Sequence, residues 1–269
     1  MSTKEIDDLR SIRSISIDSL SGISTSGSNL AISKIRSSAG SGSELAVLDD
    51  SRTLRKVGRS GQKWERKLPS AEFAGISQSG DYLFVWARSG DVIVIDSITG
   101  RTILEFRLSA APSGSFSVDR KVVYAGSEDG SVFSIDRVDG EIQWSSRTGG
   151  TIDDLTAEKK GVLAISRDNF VYFLSDGNGR RIWKRKLAGR IIGSTKIGKN
   201  FAAFLSYGTN EVSILRLQDG KLVNSFPVEG AAHFVSAPLS AGDFLLVPFD
   251  SGLAAFAPKG ICEREKDGS

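Results

Sequence analysis

The chain has 269 residues, of which 39% are hydrophobic and 25% are charged, and it contains 29 glycines. This composition is typical of a globular protein with a large core and many turns. The formal net charge of +3 is too small to indicate nucleic-acid binding. A single cysteine, Cys262, excludes an intrachain disulfide framework and fits a reducing compartment.

The first residues, MSTKEIDDLRSIRSIS, contain no apolar core of signal-peptide length, and Asp7 and Asp8 lie among them. No other segment approaches the roughly 20 apolar residues that a membrane-spanning helix needs. These features predict a soluble protein that does not insert into a membrane and lies in the cytoplasm. If a leader was removed from the N-terminus, a periplasmic or extracellular location is expected instead.

A glycine that ends a tight turn recurs about every 40 residues along the whole chain. The turn sequences include IDSITG, which ends at Gly100, and IDRVDG, which ends at Gly140. The glycines of the series are Gly22, Gly61, Gly100, Gly140, Gly179, Gly220 and Gly260. A period this steady predicts a repeat architecture, with residues 1–269 forming a single domain.

Each repeat contains short segments in which apolar and polar residues alternate. In chain order, one repeat contains DYLFVWA, DVIVIDS and RTILEFR, and the next contains KVVYAGS, SVFSIDR and EIQWSSR. A weaker run ahead of each group, such as Ser113–Asp119, supplies a fourth strand. Four short antiparallel strands in every 40 residues are typical of a β-propeller blade. No helical pattern separates the strands, which argues against a parallel α/β sheet.

Six repeats are complete, and the N-terminal piece around Gly22 is an incomplete seventh. The last repeat runs through an expected outer strand, Ile261–Lys266, and so does not need a strand from the N-terminus. We therefore predict an all-β fold, a β-propeller of four-stranded antiparallel blades with seven blades, of which the first is incomplete. A truncated eight-bladed propeller is the alternative.

The segments SIDRVDGEIQW and FLSDGNGRRIW resemble the pyrroloquinoline-quinone-like (PQQ-like) repeat family, whose units carry an Asp-x-x-x-Gly turn followed by tryptophan. The resemblance extends from Gly22 to Gly260. It implies that outer-strand tryptophans dock between neighbouring blades, a structural role that here falls to Trp64, Trp144 and Trp183. The tryptophan is replaced at Leu104, Asn224 and Arg264, where Phe106 or Phe226 can partly substitute.

The resemblance also raises the possibility of a quinone-dependent dehydrogenase, the least favoured function. Such enzymes are similar in fold but use a vicinal cysteine pair and a calcium ion, and this chain has one cysteine and no evident calcium cage. His233 is the only histidine, too few for a zinc site and without a marked partner for catalysis. The acid pairs Asp49-Asp50 and Asp153-Asp154 are interpreted as solvated turn residues. We expect no enzyme activity, no catalytic residue, no cofactor and no metal site.

A cation stands three residues after each outer-strand tryptophan or its equivalent Leu104. We call these four residues the basic arc: Lys67, Arg107, Arg147 and Lys186. In a propeller they are expected along one rim, thickened by neighbours such as Arg185 and Arg190, where they can attract an acidic partner. Alternatively, they only protect the sheet edges from pairing. Cations and aromatic residues are not interleaved in these segments in the way that is typical of proteins that stack on bases.

The favoured hypothesis is a non-catalytic, monomeric scaffold or assembly factor that binds another, acidic protein through one loop face. The non-enzymatic members of the similar family, which include an assembly-factor lipoprotein of the bacterial outer membrane, imply such a role. This sequence lacks the signal and the lipid-anchor cysteine of that protein. The face is expected to combine inter-blade links with the hairpins near Asp49, Arg88, Asp129, Asp168, Asn210 and Asp250. The alternative is a propeller that senses a small ligand in its central channel or assists an enzyme by binding it there.

Overall fold

Short antiparallel strands joined by tight turns make up nearly all of the structure. The computed structural model describes residues 35–41, 44–59, 61–69, 72–228, 233–241, 244–250 and 252–256. Within these ranges the chain forms 23 β-strands and no helix. The strands form six sheets, which we call blades 1 to 6 in chain order.

The strand bounds follow the repeat. Blade 1 contains β1 Ile35–Ser41, β2 Glu44–Asp49, β3 Thr53–Gly58 and β4 Gly61–Lys67. Blade 2 contains β5 Phe73–Ser79, β6 Tyr82–Ala87, β7 Asp91–Asp96 and β8 Thr102–Arg107. Blade 3 contains β9 Pro112–Val118, β10 Val122–Ser127, β11 Ser131–Asp136 and β12 Ile142–Arg147. Blade 4 contains β13 Ile152–Glu158, β14 Gly161–Ser166, β15 Phe170–Ser175 and β16 Arg181–Lys186. Blade 5 contains β17 Arg190–Ile197, β18 Phe201–Tyr207, β19 Glu211–Arg216 and β20 Leu222–Pro227. Blade 6 contains β21 Leu239–Ala241, β22 Phe244–Phe249 and β23 Gly252–Phe256.

The strands of each blade pair antiparallel in the order in which the chain supplies them. The prediction of an all-β propeller built from four-stranded antiparallel blades is therefore confirmed. The predicted incomplete blade around Gly22 and the predicted outer strand Ile261–Lys266 lie outside the described residues. The number of blades in the whole ring accordingly stays a prediction.

Side chains and turn geometry explain why the strands end where they do. In blade 3, Asp129 Oδ1 accepts hydrogen bonds from Ser127 Oγ (2.6 Å) and from the Ser131 backbone N–H (3.0 Å). Gly130 between them has a φ of +88°, a conformation that costs glycine little because it has no Cβ. The hairpin between β10 and β11 is closed by these local interactions.

The hydrophobic core lies between blades, not within any one of them. All six residues of β10 are buried, because a middle strand is covered on both faces. Five hydrophobic clusters fill the five spaces between successive blades, from blades 1 and 2 to blades 5 and 6. Phe84 of blade 2 stacks on Phe116 of blade 3 with ring centroids 4.5 Å apart. Each blade therefore depends on its neighbours to bury its apolar faces.

The first strand of a blade lies at the centre and the fourth lies at the periphery. First strands of successive blades contact one another, as β5 contacts β9 and β9 contacts β13. Because strand directions alternate, the hairpins between second and third strands share one side of the ring with the links that lead to the next blade. We call this side the hairpin face. A hydrogen bond from Leu108 N to Gly90 O (2.9 Å) joins a link to a hairpin there. None of the described residues belongs to a helix with the length and apolarity that crossing a membrane requires.

Candidate functional site

The tryptophans of the repeat lie between blades. Trp144 of blade 3 donates its indole N–H to the backbone carbonyl of Asp176 in blade 4 (2.8 Å). Trp64 of blade 1 donates in the same way to Ser97 O of blade 2 (3.1 Å), and Trp183 of blade 4 to Leu217 O of blade 5 (2.9 Å). Each indole thus satisfies its only donor while covering the edge of the following blade.

A turn glycine of the following blade receives each of these indoles. An ideal Cβ at Gly179 would lie 2.4 Å from Trp144, and one at Gly220 would lie 2.5 Å from Trp183. Both glycines also have positive φ angles, of 67° and 66°. The glycine is required twice, once by the turn and once by the tryptophan of the previous blade.

Two departures from the tryptophan pattern are filled by other apolar contacts. Leu104 of blade 2 is 7% exposed, and its Cδ1 would lie 3.2 Å from a Cβ at Gly140. Asn224 of blade 5 is exposed, while Phe226 of the same strand packs against Phe256 of blade 6 with ring centroids 4.7 Å apart. The third departure, at Arg264, lies outside the described residues.

The basic arc occupies equivalent positions in four successive blades. Each arc residue ends its outer strand, and each is exposed on the hairpin face. Each one pairs with the first residue of the adjacent third strand: Lys67 with Thr53, Arg107 with Asp91, Arg147 with Ser131 and Lys186 with Phe170. In blade 5 the corresponding residue is Pro227. The arc therefore extends over blades 1 to 4 and ends at blade 5.

The arginines of the arc are only loosely held. Arg107 Nη1 lies 3.4 Å from Asp91 Oδ1, and Arg147 Nη2 lies 3.8 Å from Asp129 Oδ2, with both arginine side chains about 70% exposed. Hydrogen bonds from Ser127 and Ser131, with a smaller contribution from Arg147, lower the pKa of Asp129. Exposed ion pairs of this kind contribute roughly 0–1 kcal/mol and exchange readily with other charges. The guanidinium groups are therefore available to a partner.

The two further candidates of the rim have other contacts. Arg185 Nε donates to the carbonyl of Gly220 (2.8 Å), so this guanidinium bridges blades 4 and 5 beside Trp183. Arg190 begins the innermost strand of blade 5, and its Nη2 lies 3.4 Å from Asp153 Oδ2 of blade 4. The expectation that both residues thicken the peripheral arc does not match these positions, because one is engaged between blades and the other lies at the centre.

A second hydrogen bond between blades was not predicted from the sequence. Arg66 Nη1 donates to Gly100 O (2.9 Å), as Arg185 does to Gly220 O. Each arginine stands two residues after its tryptophan, and the repeated patterns WER and WKR are the signal that could have revealed the pair. Tryptophan and arginine together bind the same turn of the next blade.

The two acid pairs occupy different environments, and the prediction of solvated turn residues is wrong for Asp49 as well as for Asp153 and Asp154. Asp49 ends β2 and is buried, and although burial opposes it, hydrogen bonds from Ser51, Thr53 and Arg55 lower its pKa. Asp153 and Asp154 lie within the innermost strand β13 and not in a turn. A turn would have left both carboxylates in water, but burial raises the pKa of Asp154 to about 6, with a further contribution from the negative charge of Asp153.

The remaining candidates lie on or near the hairpin face. Asp49, Arg88, Asp129, Asp168, Asn210 and Asp250 each fall at the junction of a second and a third strand. His233 is exposed and stacks against Tyr207, with ring centroids 5.8 Å apart. Among the described residues, no group of three or more His, Cys, Asp and Glu side chains is arranged to hold a metal ion.

Comparison with known proteins matches the chain to a protein family. A family model described as outer membrane protein assembly factor BamB matches residues 43–190 and 113–246. The chain is 26% identical over 124 residues to outer membrane protein assembly factor BamB of Nitrosomonas eutropha, and 26% identical over 160 residues to BamB of Yersinia pestis. The matched segments cover 45% and 54% of this chain but only 30% and 41% of those relatives.

Solved structures support the same fold. The computationally designed Ika8 protein superposes with a TM-score of 0.68 at 15% identity, covering 84% of this chain and 71% of that protein. At this level of identity the similarity concerns the fold alone.

The prediction of a cytoplasmic location is wrong. The matched family model and both curated relatives are named for the assembly of outer membrane proteins, a task that belongs to the cell envelope. The composition could not reveal this, because a soluble propeller has the same core and the same kind of surface in any aqueous compartment, and location is carried by targeting segments.

Proposed function

The chain belongs to the PQQ-like repeat propeller family of outer membrane protein assembly factor BamB, and we propose that it is a non-catalytic propeller that binds another protein on its hairpin face. A ring of blades packed through their cores is a rigid support for loops. The name of the family model is that of an assembly factor and not of an enzyme, which supports a binding role. Assembly work in the cell envelope is part of the same proposal.

The observation that carries the proposal is the position of the basic arc. Four cations stand at the same place in four consecutive blades, all exposed and all on the hairpin face. Charges of one sign arranged along one side of a rigid ring raise the rate at which an oppositely charged surface associates. The partner surface is accordingly an acidic one.

Edge protection explains the arc less well than partner binding does. A cation in the middle of an edge strand, such as Lys184 in β16, lies where another strand would pair. The arc residues instead stand at the strand ends, beside the hairpins and links. Blade 5 has an equally peripheral outer strand, β20, which carries no charged residue at all. A cation is therefore not needed at every edge.

The test is affinity capture from a nuclease-treated lysate of the source organism with three forms of the full chain. The first is wild type, and the second reverses the arc by changing Lys67, Arg107, Arg147 and Lys186 to Glu. The third is a matched control that changes four exposed cations on the opposite side of the ring to Glu: Arg101, Arg120, Lys160 and Lys199. Both variants lower the net charge equally.

We expect one protein to be retained by wild type and by the control variant and to be lost by the arc variant. Far-UV circular dichroism and thermal unfolding of the three forms establish that all are folded. Equal retention by all three forms would contradict the proposal that the arc binds a partner.

A further inference from the structure

Blades 4 and 5 form a recess where the central channel opens on the hairpin face. Its volume is about 370 Å³, and its walls are formed by Asp153, Arg190, Ile191, Ile192 and Tyr207. Arg190 begins β17 and pairs across the strands with Tyr207, the last residue of β18. The space is at the lower end of the range of ligand pockets and has room for one or two amino-acid side chains.

One carboxylate in this recess holds two guanidinium groups. Asp153 Oδ1 accepts a hydrogen bond from Arg167 Nε (2.7 Å), and Asp153 Oδ2 accepts one from Arg190 Nη2 (3.4 Å). Asp153 and Arg167 belong to blade 4 and Arg190 to blade 5, so the trio bridges two blades. The arginine side chains are 54% and 57% exposed, whereas that of Asp153 is 21% exposed. An incoming group therefore meets two exposed guanidinium groups, whose shared carboxylate is less accessible than they are.

The wall beside this charge pair is apolar and aromatic. Tyr207 is 49% exposed, and its ring is stacked on His233 with an angle of 21° between the ring planes. Ile191 is buried beneath, and Ile192 is half-buried. The aromatic pair joins blade 5 to the link into blade 6. Such a wall accepts an apolar or aromatic side chain, which a free inorganic anion could not use.

We propose that this recess binds a segment of a protein partner in which an acidic residue stands next to an aromatic one. The carboxylate accepts hydrogen bonds from Arg167 and Arg190, and the aromatic side chain packs against Tyr207 and His233. Charge complementarity selects an acid over a base, because the two guanidinium groups are the more exposed charges and Asp153 is already paired with them. This inference rests on the proposed function, since it names the chemistry of a partner segment on the same face.

The test measures fluorescence anisotropy of a defined probe against the full chain. The probe is a fluorescein-labelled peptide, Ser-Gly-Asp-Phe-Glu-Gly-Ser, and the matched peptide carries Asn and Gln in place of Asp and Glu. A charge-assisted hydrogen bond is commonly equivalent to a tenfold change in affinity or more. We expect the amide peptide to bind at least tenfold more weakly than the acidic peptide.

Protein variants locate the site. Arg190→Gln and Arg167→Gln should each weaken binding of the acidic peptide about tenfold, and Tyr207→Ala should weaken it without changing the preference for acid over amide. Arg180→Gln, an exposed arginine on the opposite side of the ring, is the matched control and should leave binding unchanged. Thermal unfolding of each variant establishes that the fold is intact.

The result that overturns the inference is equal binding of the acidic and amide peptides, or an Arg190→Gln variant that binds as tightly as Arg180→Gln. The two proposals fail separately. Partner capture that depends on the arc, together with no peptide binding, rejects the recess and keeps the proposed function. Peptide binding that depends on Arg190, together with equal capture by all charge variants, supports the recess and rejects the arc.

Discussion

At the scale of single residues, the most consequential contacts join positions about 35 residues apart. Trp144 and Gly179 belong to different blades, yet the indole occupies the space that any side chain at position 179 would need. Lys56 is another residue whose surroundings come from a neighbouring blade: it is 1% exposed, and its Nζ bonds to Ser97 Oγ of blade 2 at 3.0 Å. Individual residues thus determine how blades meet.

Replacing the docking glycine should destabilise the protein strongly. Gly179→Ala forces a left-handed conformation on alanine and places its Cβ 2.4 Å from Trp144. We expect a loss of about 2–4 kcal/mol in the free energy of unfolding, from backbone strain and overpacking together. Urea denaturation measures it. Gly177→Ala, in the same turn but with no atom within 4 Å of the new Cβ, is the control and should cost far less.

The half-buried Asp154 should make stability depend on pH. Its pKa is raised to about 6 in the folded protein, above the model-peptide value of 3.8. A carboxyl group whose pKa is raised by folding stabilises the folded protein at pH values below its pKa in the unfolded chain. This contribution is lost as the pH rises through the folded-state pKa of about 6. Asp154→Asn should therefore gain about 2–3 kcal/mol over wild type at pH 7.5 and almost nothing at pH 4. Urea unfolding at the two pH values measures the gain.

The opposite dependence of stability on pH is expected for a carboxylate whose charged form is stabilised by hydrogen bonds. Hydrogen bonds from Thr99 and Ile98 lower the pKa of Asp96. Asp96→Asn should therefore lose stability relative to wild type at neutral pH, and the loss should shrink as the pH falls towards the folded-state pKa. Urea unfolding at several pH values measures this loss.

A gain in the free energy of unfolding for Asp154→Asn that is the same at pH 7.5 and at pH 4 would contradict the raised pKa of Asp154.

At the scale of strands and blades, side chains of the outer strand bind each blade to the next one. In blades 1 and 4 two side chains make this contact. Besides the tryptophan, an arginine two residues after it donates a hydrogen bond to the carbonyl of the turn glycine on which the tryptophan packs. Blade 3 has Ser146 at this position, and its outer strand bonds to the next blade through Trp144. Blade 5 has neither residue and uses the contact between Phe226 and Phe256 instead. The contacts that join an outer strand to the next blade therefore differ from blade to blade.

The hydrogen bond that Arg185 donates to the next blade should contribute measurably to stability. Arg185→Ala removes the hydrogen bond to Gly220 O and should lower the free energy of unfolding by about 1–2 kcal/mol. Arg181→Ala, an exposed arginine at the start of the same strand, is the matched control and should change it by less than about 0.5 kcal/mol. If the two substitutions change the free energy of unfolding equally in urea denaturation, the hydrogen bond from Arg185 does not stabilise the protein.

At the scale of the whole molecule, the contacts that stabilise the ring and the surfaces that we propose to bind a partner lie in different parts. The spaces between blades contain the hydrophobic clusters, the tryptophans and the buried Lys56. The hairpin face carries the basic arc at its periphery and the recess with Arg167 and Arg190 at its centre. A partner that uses both would cover the face from centre to rim. The capture and peptide experiments test these two contact regions separately.

The repeat, the strands and the kind of fold could all be predicted from the sequence alone. Period-two alternation and glycine turns are local properties of the chain, so β10 and its hairpin at Asp129 could be predicted from a few neighbouring residues. The positions of the arc residues at the ends of outer strands followed from the same register. The similarity to PQQ-like repeats followed from the spacing of the turn glycine and the tryptophan.

Which residues meet between blades depends on the packing of the ring and could not be predicted from the sequence. The sequence predicts a turn at Asp153, which instead accepts hydrogen bonds from Arg167 and Arg190. It predicts a place in the basic arc for Arg185, which instead bonds to Gly220 of the next blade. Contacts of this kind join residues that no local pattern relates, and they depend on how each blade is placed against the next. A strand's own sequence specifies its pleat and its turns, whereas the partner of an exposed-looking side chain is set by the packing of the ring.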